Sequence, residues 1–405
     1  MDRRSTLIAR LDQQVDYPKI ILKPKEEGRL QAGHLWAFSN EIAEAPADLP
    51  AGVIADLYTA DKGFLGRGFY NPHSLIAFRI LSWQKDEDID GKFFKKRLTE
   101  SWQLREGFYP GAASYRWVFG ESDRLPGLVI DRYNDYVAVQ MISAGMNLLK
   151  EMIIGAIQEV IHPKGIICRS DAPLRELEGL TDAPPERIGE IPERISISLE
   201  NGDFQVDLAT GQKTGFYFDQ RDNRQALAAL CPGKSMLDAF CYSGGFGIAA
   251  ARAGAKNVVF VDSSHPALEL AQANIEQNRL EDRCRVVEGD VLQLMSHGTP
   301  EKFDVISMDP PAFARSKKHL PAALKAYERL NALAMSALPR GGILASSSCS
   351  HHVTREAFLD MLRRAAKKSH RNFRLIEFRA QAKDHPILLA MPETEYLKFV
   401  ILQVI

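Results

Sequence analysis

The sequence predicts an α/β protein whose C-terminal half forms a doubly wound parallel sheet, preceded by a small β-barrel and a compact α+β region. Three observations lead to this prediction. The chain has 405 residues, which at roughly 150 residues per domain gives two or three domains. Its first part contains short strands separated by glycines. Its last part alternates apolar strands with helices, which is the pattern of a parallel sheet with helical crossovers.

Composition excludes several classes of protein. The hydrophobic content of 45% and the charged content of 25% are those of a globular protein. No stretch approaches the roughly 18 consecutive apolar residues of a membrane span, and residues 1–14 lack the apolar core of a secretion signal. The five cysteines have no paired spacing, which argues against a disulfide framework and a zinc site. We therefore expect a metal-free cytoplasmic protein that does not enter a membrane.

Residues 1–90 are predicted to form the β-barrel. Apolar strands at 19–22, 52–58, 63–70 and 75–81 are separated by glycines and an Asn-Pro turn. Closely spaced strands with such turns are typical of a small barrel. The charged run at 85–90 marks the end of this domain.

Residues 91–200 are predicted to form a compact α+β domain. Strands at 128–130 and 137–139 flank an Asn-Asp turn and form a hairpin. Apolar residues at positions 146, 149, 153, 157 and 160 have helical spacing, and a further strand follows at 166–168. This order of elements indicates a mixed domain.

Residues 201–405 are predicted to form the doubly wound domain. Strands at 234–238, 258–262, 285–287, 303–308 and 342–346 are each followed by a turn or a helix, with helices at 246–253 and 266–278 after the first two. Such strands are buried on both faces of a parallel sheet. Two further strands, at 373–378 and 396–402, are predicted to close the sheet as a hairpin-like pair.

The net charge of −1 conceals one strongly basic segment. Residues 315–383 contain 15 Lys and Arg against 4 Asp and Glu. A phosphate-rich partner would be bound by such a cluster through counterion release. A solvated helix face is the more common explanation of a charge run.

Ligands of a doubly wound sheet bind beyond the carboxyl ends of its strands. The first strand ends in a glycine turn, the second at Asp262, whose carboxylate can accept hydrogen bonds from a ribose diol, and the third at Asp290, which could accept from an adenine amine. Helix caps are the alternative for each of these groups alone, but three consecutive strand ends favour an adenosine ligand. The candidates for cofactor binding are Asp238, Phe240, Ser243, Gly244, Gly245, Asp262, Ser263, Gly289 and Asp290.

The fourth strand end identifies the class of adenosine cofactor. The glycine turn does not match the G-x-G-x-x-G spacing of a dinucleotide enzyme. The chain continues as Asp309-Pro310-Pro311-Ala312-Phe313, and the two prolines fix a rigid turn that presents Asp309 to a planar base. This segment resembles motif IV of the class I S-adenosylmethionine methyltransferases that modify nucleobases. The resemblance implies that Asp309 borders both cofactor and base, and that Pro310, Pro311 and Phe313 contact the base.

Cys349 follows the fifth strand and lies among serines and two histidines within the basic segment. Polar and cationic neighbours favour the thiolate. Cytosine C5 is a poor nucleophile toward a methyl sulfonium, so its methylation needs a thiolate to add at C6. A hydrogen bond or a proton at N3 from Asp309 would stabilise that adduct. We therefore predict Cys349 and Asp309 as the catalytic residues, the alternative being a structural cysteine.

The chain resembles the bacterial large-subunit (23S) rRNA cytosine-C5 methyltransferases, which combine a PUA domain, a central α+β domain and a Rossmann-like class I methyltransferase domain. The resemblance covers nearly the whole chain from about residue 18. It rests on motifs at residues 33–40, 119–128, 213–221, 309–311, 348–350 and 382–386.

This resemblance implies S-adenosylmethionine as cofactor, S-adenosylhomocysteine as product, and 23S rRNA or a large-subunit assembly intermediate as partner. It implies that Cys349 is the nucleophile and that Thr214, Gln220 and Arg221 border the cofactor. Lys317 and Lys318 are added as candidate contacts to the RNA. Better-known RNA C5 enzymes carry a second cysteine beside the double proline, where Ala312 stands here, so release of the product must use another base.

Two rival functions remain open at the level of the sequence. One is another nucleobase methyltransferase, acting on an exocyclic amine or on guanine, in which Cys349 is structural. The other is a non-catalytic RNA-binding ribosome assembly factor, against which the intact glycines, Asp262, Asp309 and Cys349 argue. The sequence leaves open the target nucleotide, the acceptor of the C5 proton and the oligomeric state. A homodimer is compatible with the sequence.

Overall fold

The structure is a computed structural model that describes residues 16–170, 173–208, 214–298, 301–314 and 316–405. Residues 1–14, which are predicted not to form a secretion signal, lie outside these ranges. So do Lys213 of the motif at 213–221 and Arg315 at the start of the basic segment.

The first region forms one six-stranded sheet with the strand order β2-β6-β5-β4-β1-β3. Its strands are β1 (Lys19–Leu22), β2 (Trp36–Ala37), β3 (Ile42–Glu44), β4 (Val53–Tyr58), β5 (Phe64–Tyr70) and β6 (Phe78–Ser82). Apolar side chains of β1, β4 and β6 pack with the short helix α1 (Gly28–Gln31). The four predicted strands are confirmed. The additional strands β2 and β3 are too short to give a periodic pattern in the sequence.

The second region consists of a five-stranded sheet with helices. It begins with helix α2 (Gly91–Phe108), which Asp90 caps by accepting from the Phe93 amide at 2.9 Å. The sheet order is β11-β10-β9-β8-β7, with strands β7 (Ser114–Phe119), β8 (Leu128–Tyr133), β9 (Tyr136–Met141), β10 (Gly165–Arg169) and β11 (Glu186–Gly189). The predicted hairpin is confirmed as β8 and β9. The predicted single helix is two helices, α3 (Ala144–Leu148) and α4 (Lys150–Ile161), because the backbone leaves helical geometry at Leu149.

A two-stranded hairpin spans the boundary predicted at residue 200. Its strands are β12 (Ile195–Leu199) and β13 (Gly202–Val206). Their apolar side chains pack in the same core as the sheet that follows. The division into 1–90, 91–200 and 201–405 stays a prediction, and the packing of this hairpin favours a second boundary before Ile195.

The third region is a seven-stranded sheet with the order β16-β15-β14-β17-β18-β20-β19. Its strands are β14 (Ser235–Ala239), β15 (Asn257–Asp262), β16 (Cys284–Glu288), β17 (Val305–Met308), β18 (Ile343–Ser348), β19 (Phe373–Arg379) and β20 (Lys398–Val404). The helices are α5 (Arg221–Ala228), α6 (Gly245–Arg252), α7 (His265–Gln277), α8 (Val291–His297), α9 (Leu320–Ala337) and α10 (Arg355–Lys368).

The arrangement of this sheet confirms the predicted doubly wound fold. Strands β14 to β18 are parallel, whereas β20 pairs antiparallel with both β18 and β19. Helices α6 and α7 pack in one apolar core, and α8, α9 and α10 pack in a second core. The sheet therefore has helices on both faces.

Buried polar contacts join the three regions. Arg79 pairs with Glu178 at 2.8 Å, the Tyr109 hydroxyl contacts Asp222 at 2.9 Å, and Arg105 donates to the Asp384 carbonyl at 2.7 Å. Among the helices that the structure describes, none has the length and apolar content to cross a bilayer.

Candidate active site

The carboxyl ends of the five parallel strands meet at one edge of the third sheet. The register pairs Ala239 of β14 with Val261 of β15 and with Met308 of β17, and it pairs Met308 with Ser346 of β18. On the outer side, Asp262 of β15 pairs with Glu288 of β16. The loops that carry the predicted site residues are thus brought side by side, where a ligand of this fold binds.

The turn between β14 and α6 has a strained backbone. Phe240, Tyr242 and Gly244 have φ values of 60°, 49° and 85°, and left-handed conformations of non-glycine residues are typical of functional turns. Asp238 is buried beneath the turn and accepts from the Gly247 amide at 2.8 Å. Burial, together with repulsion from Asp309, raises the pKa of Asp238 to about 8. Asp238 therefore stabilises the turn through its hydrogen bond with the Gly247 amide. A direct contact of Asp238 with a ligand stays a prediction.

Close packing explains two glycines of this turn. A Cβ at Gly245 would lie 2.6 Å from Nε of Arg224, and one at Gly247 would lie 2.2 Å from the Phe260 ring. A Cβ at Gly289, after β16, meets nothing within 4 Å. The third strand end therefore has open space at Gly289, whereas the first turn is closely packed at Gly245 and Gly247.

Asp262 and Asp290 both accept hydrogen bonds from the backbone. The two carboxylate oxygens of Asp262 accept from the amides of Tyr242 at 3.0 Å and Ser264 at 2.9 Å. Asp290 is exposed and caps helix α8 by accepting from the Gln293 amide at 2.8 Å. Ser263 is exposed between these loops, and Ser243 is buried, with its carbonyl accepting from Asn274. The cap alternative thus holds for Asp290, and each carboxylate still has lone pairs for a ligand.

The fourth strand end is connected to the segment before the first strand. Gln220 is buried and donates through Nε2 to Asp309 at 3.1 Å and to the Ser347 hydroxyl at 3.2 Å. After Asp309, Pro310 is buried and Pro311 is exposed. The Phe313 ring packs on Tyr327 with centroids 4.7 Å apart. It forms part of the wall behind the turn.

Cys349 is the first residue after β18 and is partly exposed. The neighbouring strand β20 begins with Lys398, which lies opposite Ser348. The Lys398 ammonium is buried and donates to the carbonyls of Ser350 and Tyr396, both at 2.7 Å. Burial lowers the pKa of Lys398 to about 8, although its attraction to Cys349 acts in the opposite direction. A cation beside a thiol favours the thiolate, so Lys398 is a cationic neighbour of the predicted nucleophile.

Two predicted cofactor residues have other partners. The Arg221 guanidinium pairs with Glu200, donates to the Ser114 carbonyl and lies 4.0 Å from the Tyr109 ring. The Thr214 hydroxyl donates to Asp131 in the second region. Both side chains connect regions of the protein. Their assignment to the cofactor stays a prediction.

The Lys and Arg side chains of the basic segment are mostly solvent-exposed in its described part. Lys317 and Lys318 are exposed in a short 3-10 helix after the Pro311 turn. On α10, Arg364 and Lys368 pair with Glu328 of α9, both within 2.8 Å. Part of the positive charge is therefore balanced locally, while the two lysines next to the turn remain available to phosphates.

Sequence reasoning missed three groups at this site. Arg224, one turn after Arg221 on α5, is buried beside the glycine turn and donates to the Tyr217 carbonyl at 2.7 Å. Lys398 is the second group, and a lone lysine at the start of an otherwise apolar strand was the signal that could have revealed it. The third is a buried pair of Asp384 and His385, 2.8 Å apart, within the motif at 382–386.

A cavity of about 820 Å³ lies where the three regions meet. Its apolar and aromatic lining includes Trp36, Leu75, Phe119, Leu177, His351 and Tyr396. The hydroxyl of Tyr396 donates to Asp219 at 2.6 Å, and its ring lies 5.3 Å from that of His351, two residues after Cys349. The cavity therefore extends from the first region to the neighbourhood of Cys349.

Two family models match parts of the chain. A PUA-like domain matches residues 20–83, which confirms the predicted class of the first sheet. A family described as conserved hypothetical protein 95 matches residues 223–340.

Curated relatives match almost the whole chain. Proteins named ribosomal RNA large subunit methyltransferase I from Aeromonas hydrophila and Photobacterium profundum are each 39% identical. The alignments cover 93% and 94% of this chain and 97% of each relative.

Solved structures share the fold at lower identity. A protein described as a SAM-dependent methyltransferase from Streptococcus mutans superposes with a TM-score of 0.81 at 22% identity. A second, described as a methyltransferase complexed with SAH, gives 0.82 at 23% identity. Each comparison covers 95% of this chain and 100% of the other.

Proposed function

This chain belongs to the ribosomal RNA large subunit methyltransferase I family, and we propose that it methylates C5 of a cytosine in 23S rRNA with S-adenosylmethionine as methyl donor. The observation that carries the proposal is the position of Cys349. It follows β18 at the same sheet edge as Asp309 and interacts electrostatically with the buried Lys398 ammonium. Methylation of an amine would need no thiolate at this place, whereas methylation of C5 does.

The residues at the sheet edge fit S-adenosylmethionine. Each oxygen of Asp262 keeps a lone pair beyond its backbone bond, which suits the two ribose hydroxyls. Gly289 leaves space for an adenine ring. Nε and Nη1 of the buried Arg224 have no hydrogen-bond acceptor among the described residues. The carboxylate of the methionine part of the cofactor would accept hydrogen bonds from these two nitrogens. The bound cofactor supplies an electrophilic methyl group on a positively charged sulfur.

Cys349 is the nucleophile of the proposed reaction. Its thiolate adds to C6 of the cytosine, which makes C5 electron-rich enough to accept a methyl group. The Lys398 ammonium, with a pKa of about 8, is charged at neutral pH and stabilises the thiolate. As the adduct forms, N3 of the base takes up a proton, and Asp309, positioned by Gln220, stabilises the adduct by accepting a hydrogen bond from N3.

The target nucleotide would reach Cys349 by leaving its stack and entering the cavity between the three regions. The cavity wall near Cys349 contains aromatic side chains on which a base can stack. The PUA-like sheet and the exposed Lys317 and Lys318 would bind flanking phosphates. Free 23S rRNA and a large-subunit assembly intermediate both fit this arrangement. The cytoplasmic location and a homodimer remain predictions of the sequence.

The test is transfer of labelled methyl from S-adenosylmethionine to rRNA that lacks the modification, followed by nucleoside analysis. We expect the label in 5-methylcytidine with the native chain and no label with Cys349→Ala. Label on an exocyclic amine or on guanine would refute the C5 assignment and support the rival methyltransferase. Binding of rRNA without any transfer would favour the assembly factor.

A further inference from the structure

One step of the proposed reaction lacks an assigned residue. After methyl transfer, C5 carries both the methyl group and its original proton, and the Cys349–C6 bond breaks only when a base removes that proton. Ala312 occupies the position where a second cysteine would stand beside the double proline, and it has no basic group. The base must therefore come from another element that borders the cavity.

The buried pair of Asp384 and His385 has the form of an oriented general base. Both residues are almost completely buried, and His385 Nδ1 lies 2.8 Å from Oδ1 of Asp384. The other oxygen of Asp384 accepts from the Arg116 amide at 3.0 Å, which fixes the carboxylate. A carboxylate only accepts, so Nδ1 carries a hydrogen, and in the neutral form of the ring the lone pair is on Nε2. Among the described residues, the side-chain hydrogen bond of His385 is the one at Nδ1.

The His385 ring lies on the wall of the cavity near Cys349. It packs against Phe119 with centroids 5.0 Å apart, and Phe119 packs against Tyr396 at 5.9 Å. Tyr396 interacts electrostatically with Cys349. His385, Phe119, Tyr396 and His351 all line the same cavity. A cytosine ring bound in this cavity can therefore lie next to both Cys349 and His385.

Three carboxylates on the same wall have other partners. Glu178 pairs with Arg79 at 2.8 Å and accepts from the Ser74 hydroxyl at 2.7 Å. Glu121 accepts from the Trp36 indole at 3.1 Å, and Asp219 accepts from the Tyr396 hydroxyl. A neutral imidazole whose second nitrogen is held by a carboxylate is better suited to take a proton at neutral pH.

We propose that His385 accepts the C5 proton, with Asp384 as its positioning residue, an inference that rests on the proposed function. The proton moves from C5 to Nε2 of His385. The electrons of the C5–H bond form the C5–C6 double bond, and those of the C6–S bond return to Cys349 as the thiolate. Asp384 keeps the imidazole oriented and stabilises the imidazolium that forms.

The test uses the full chain, S-adenosylmethionine and unmodified rRNA with ordinary cytidine. His385→Ala should accumulate a methylated protein–RNA complex that survives denaturing electrophoresis, because the adduct forms and cannot collapse. Its turnover should fall by about a hundredfold or more, and added imidazole should restore part of it. His351→Ala, a matched histidine on the same wall, should accumulate no complex. Asp384→Asn should give a smaller accumulation than His385→Ala.

Normal turnover of His385→Ala, or accumulation with His351→Ala instead, would overturn the proposal. RNA with 5-fluorocytidine separates loss of the base from loss of the fold, since trapping on this substrate needs no proton removal. If neither His385→Ala nor His385→Gln traps this RNA, His385 acts before methyl transfer and the proposal fails. Failure of the native chain to trap it would instead refute the proposed function.

Discussion

Asp262 offers the most direct perturbation of cofactor binding. In Asp262→Ala the ribose would lose charge-assisted hydrogen bonds to the carboxylate, which contribute about 1.5 to 3 kcal/mol. At 1.4 kcal/mol per factor of ten, the affinity for S-adenosylmethionine should fall by about ten- to a hundredfold. The same change also frees the amides of Tyr242 and Ser264, which the carboxylate holds at 3.0 Å and 2.9 Å.

The loss of these two backbone bonds must be separated from the loss of the ribose contact. Asp262→Asn keeps one acceptor oxygen and the side-chain volume but removes the charge, so it should weaken binding with less loss of stability. Asp90→Ala removes a helix cap outside the site, on α2, at a cost of about 1 kcal/mol in stability. This variant is therefore the control for a loss of stability that results only from lost hydrogen bonds to backbone amides.

Isothermal calorimetry with S-adenosylmethionine and S-adenosylhomocysteine gives the affinities, and thermal unfolding without ligand gives the stability. We expect both Asp262 variants to bind more weakly than their unfolding temperatures explain. Unchanged affinity in a folded Asp262→Ala variant would mean that the adenosine lies elsewhere.

Three further predictions concern charge. RNA affinity should fall linearly with salt concentration on a log–log plot, and removal of residues 1–90 should weaken RNA binding while leaving cofactor affinity intact. RNA binding that does not depend on salt, or loss of cofactor binding on truncation, would contradict this prediction. The neutral form of Asp238 is favoured in the folded state, because its pKa of about 8 lies above the ordinary value of 3.8. The stability of the native chain should therefore decrease by an amount on the order of a few kcal/mol as the pH rises from about 4 to about 8. Asp238→Asn should remove this decrease. Parallel pH profiles of stability for the two proteins, measured by urea unfolding, would refute the prediction. Lys398→Met should slow formation of the Cys349 adduct by about tenfold or more, measured by rapid quench, whereas the exposed Lys318→Met should leave that rate unchanged and affect RNA affinity alone.

Much of the fold could be predicted because the third region has an apolar strand before each turn. The alternation of strands and helices placed Asp262, Asp309 and Cys349 at successive strand ends, and the register of the sheet brings those ends together. Helix α2 was not predicted, because the apolar face of this long segment is interrupted by buried arginines at 97 and 105, which form their own polar contacts. Such contacts with distant partners leave no periodic pattern in the sequence.

The site itself could be predicted only where local order determines the position of a side chain. Arg221 and Arg224 are three residues apart on α5, and spacing alone does not tell which of them faces the glycine turn. The structure directs Arg221 to Glu200 and places Arg224 against Gly245. Lys398 and His385 reach the neighbourhood of Cys349 from segments that are 49 and 36 residues away in the sequence, so their proximity to Cys349 is shown only by the tertiary fold.

The central claim is a covalent bond between Cys349 and C6 of the target cytosine. The measurement is denaturing electrophoresis of the protein with S-adenosylmethionine and rRNA that carries 5-fluorocytidine, because fluorine at C5 cannot leave as a proton. We predict a stable protein–RNA complex with the native chain and with Cys241→Ala, a cysteine of the cofactor turn, and none with Cys349→Ala. Methylation of cytosine by Cys349→Ala at a near-normal rate, or a stable complex formed without this thiol, would contradict the account.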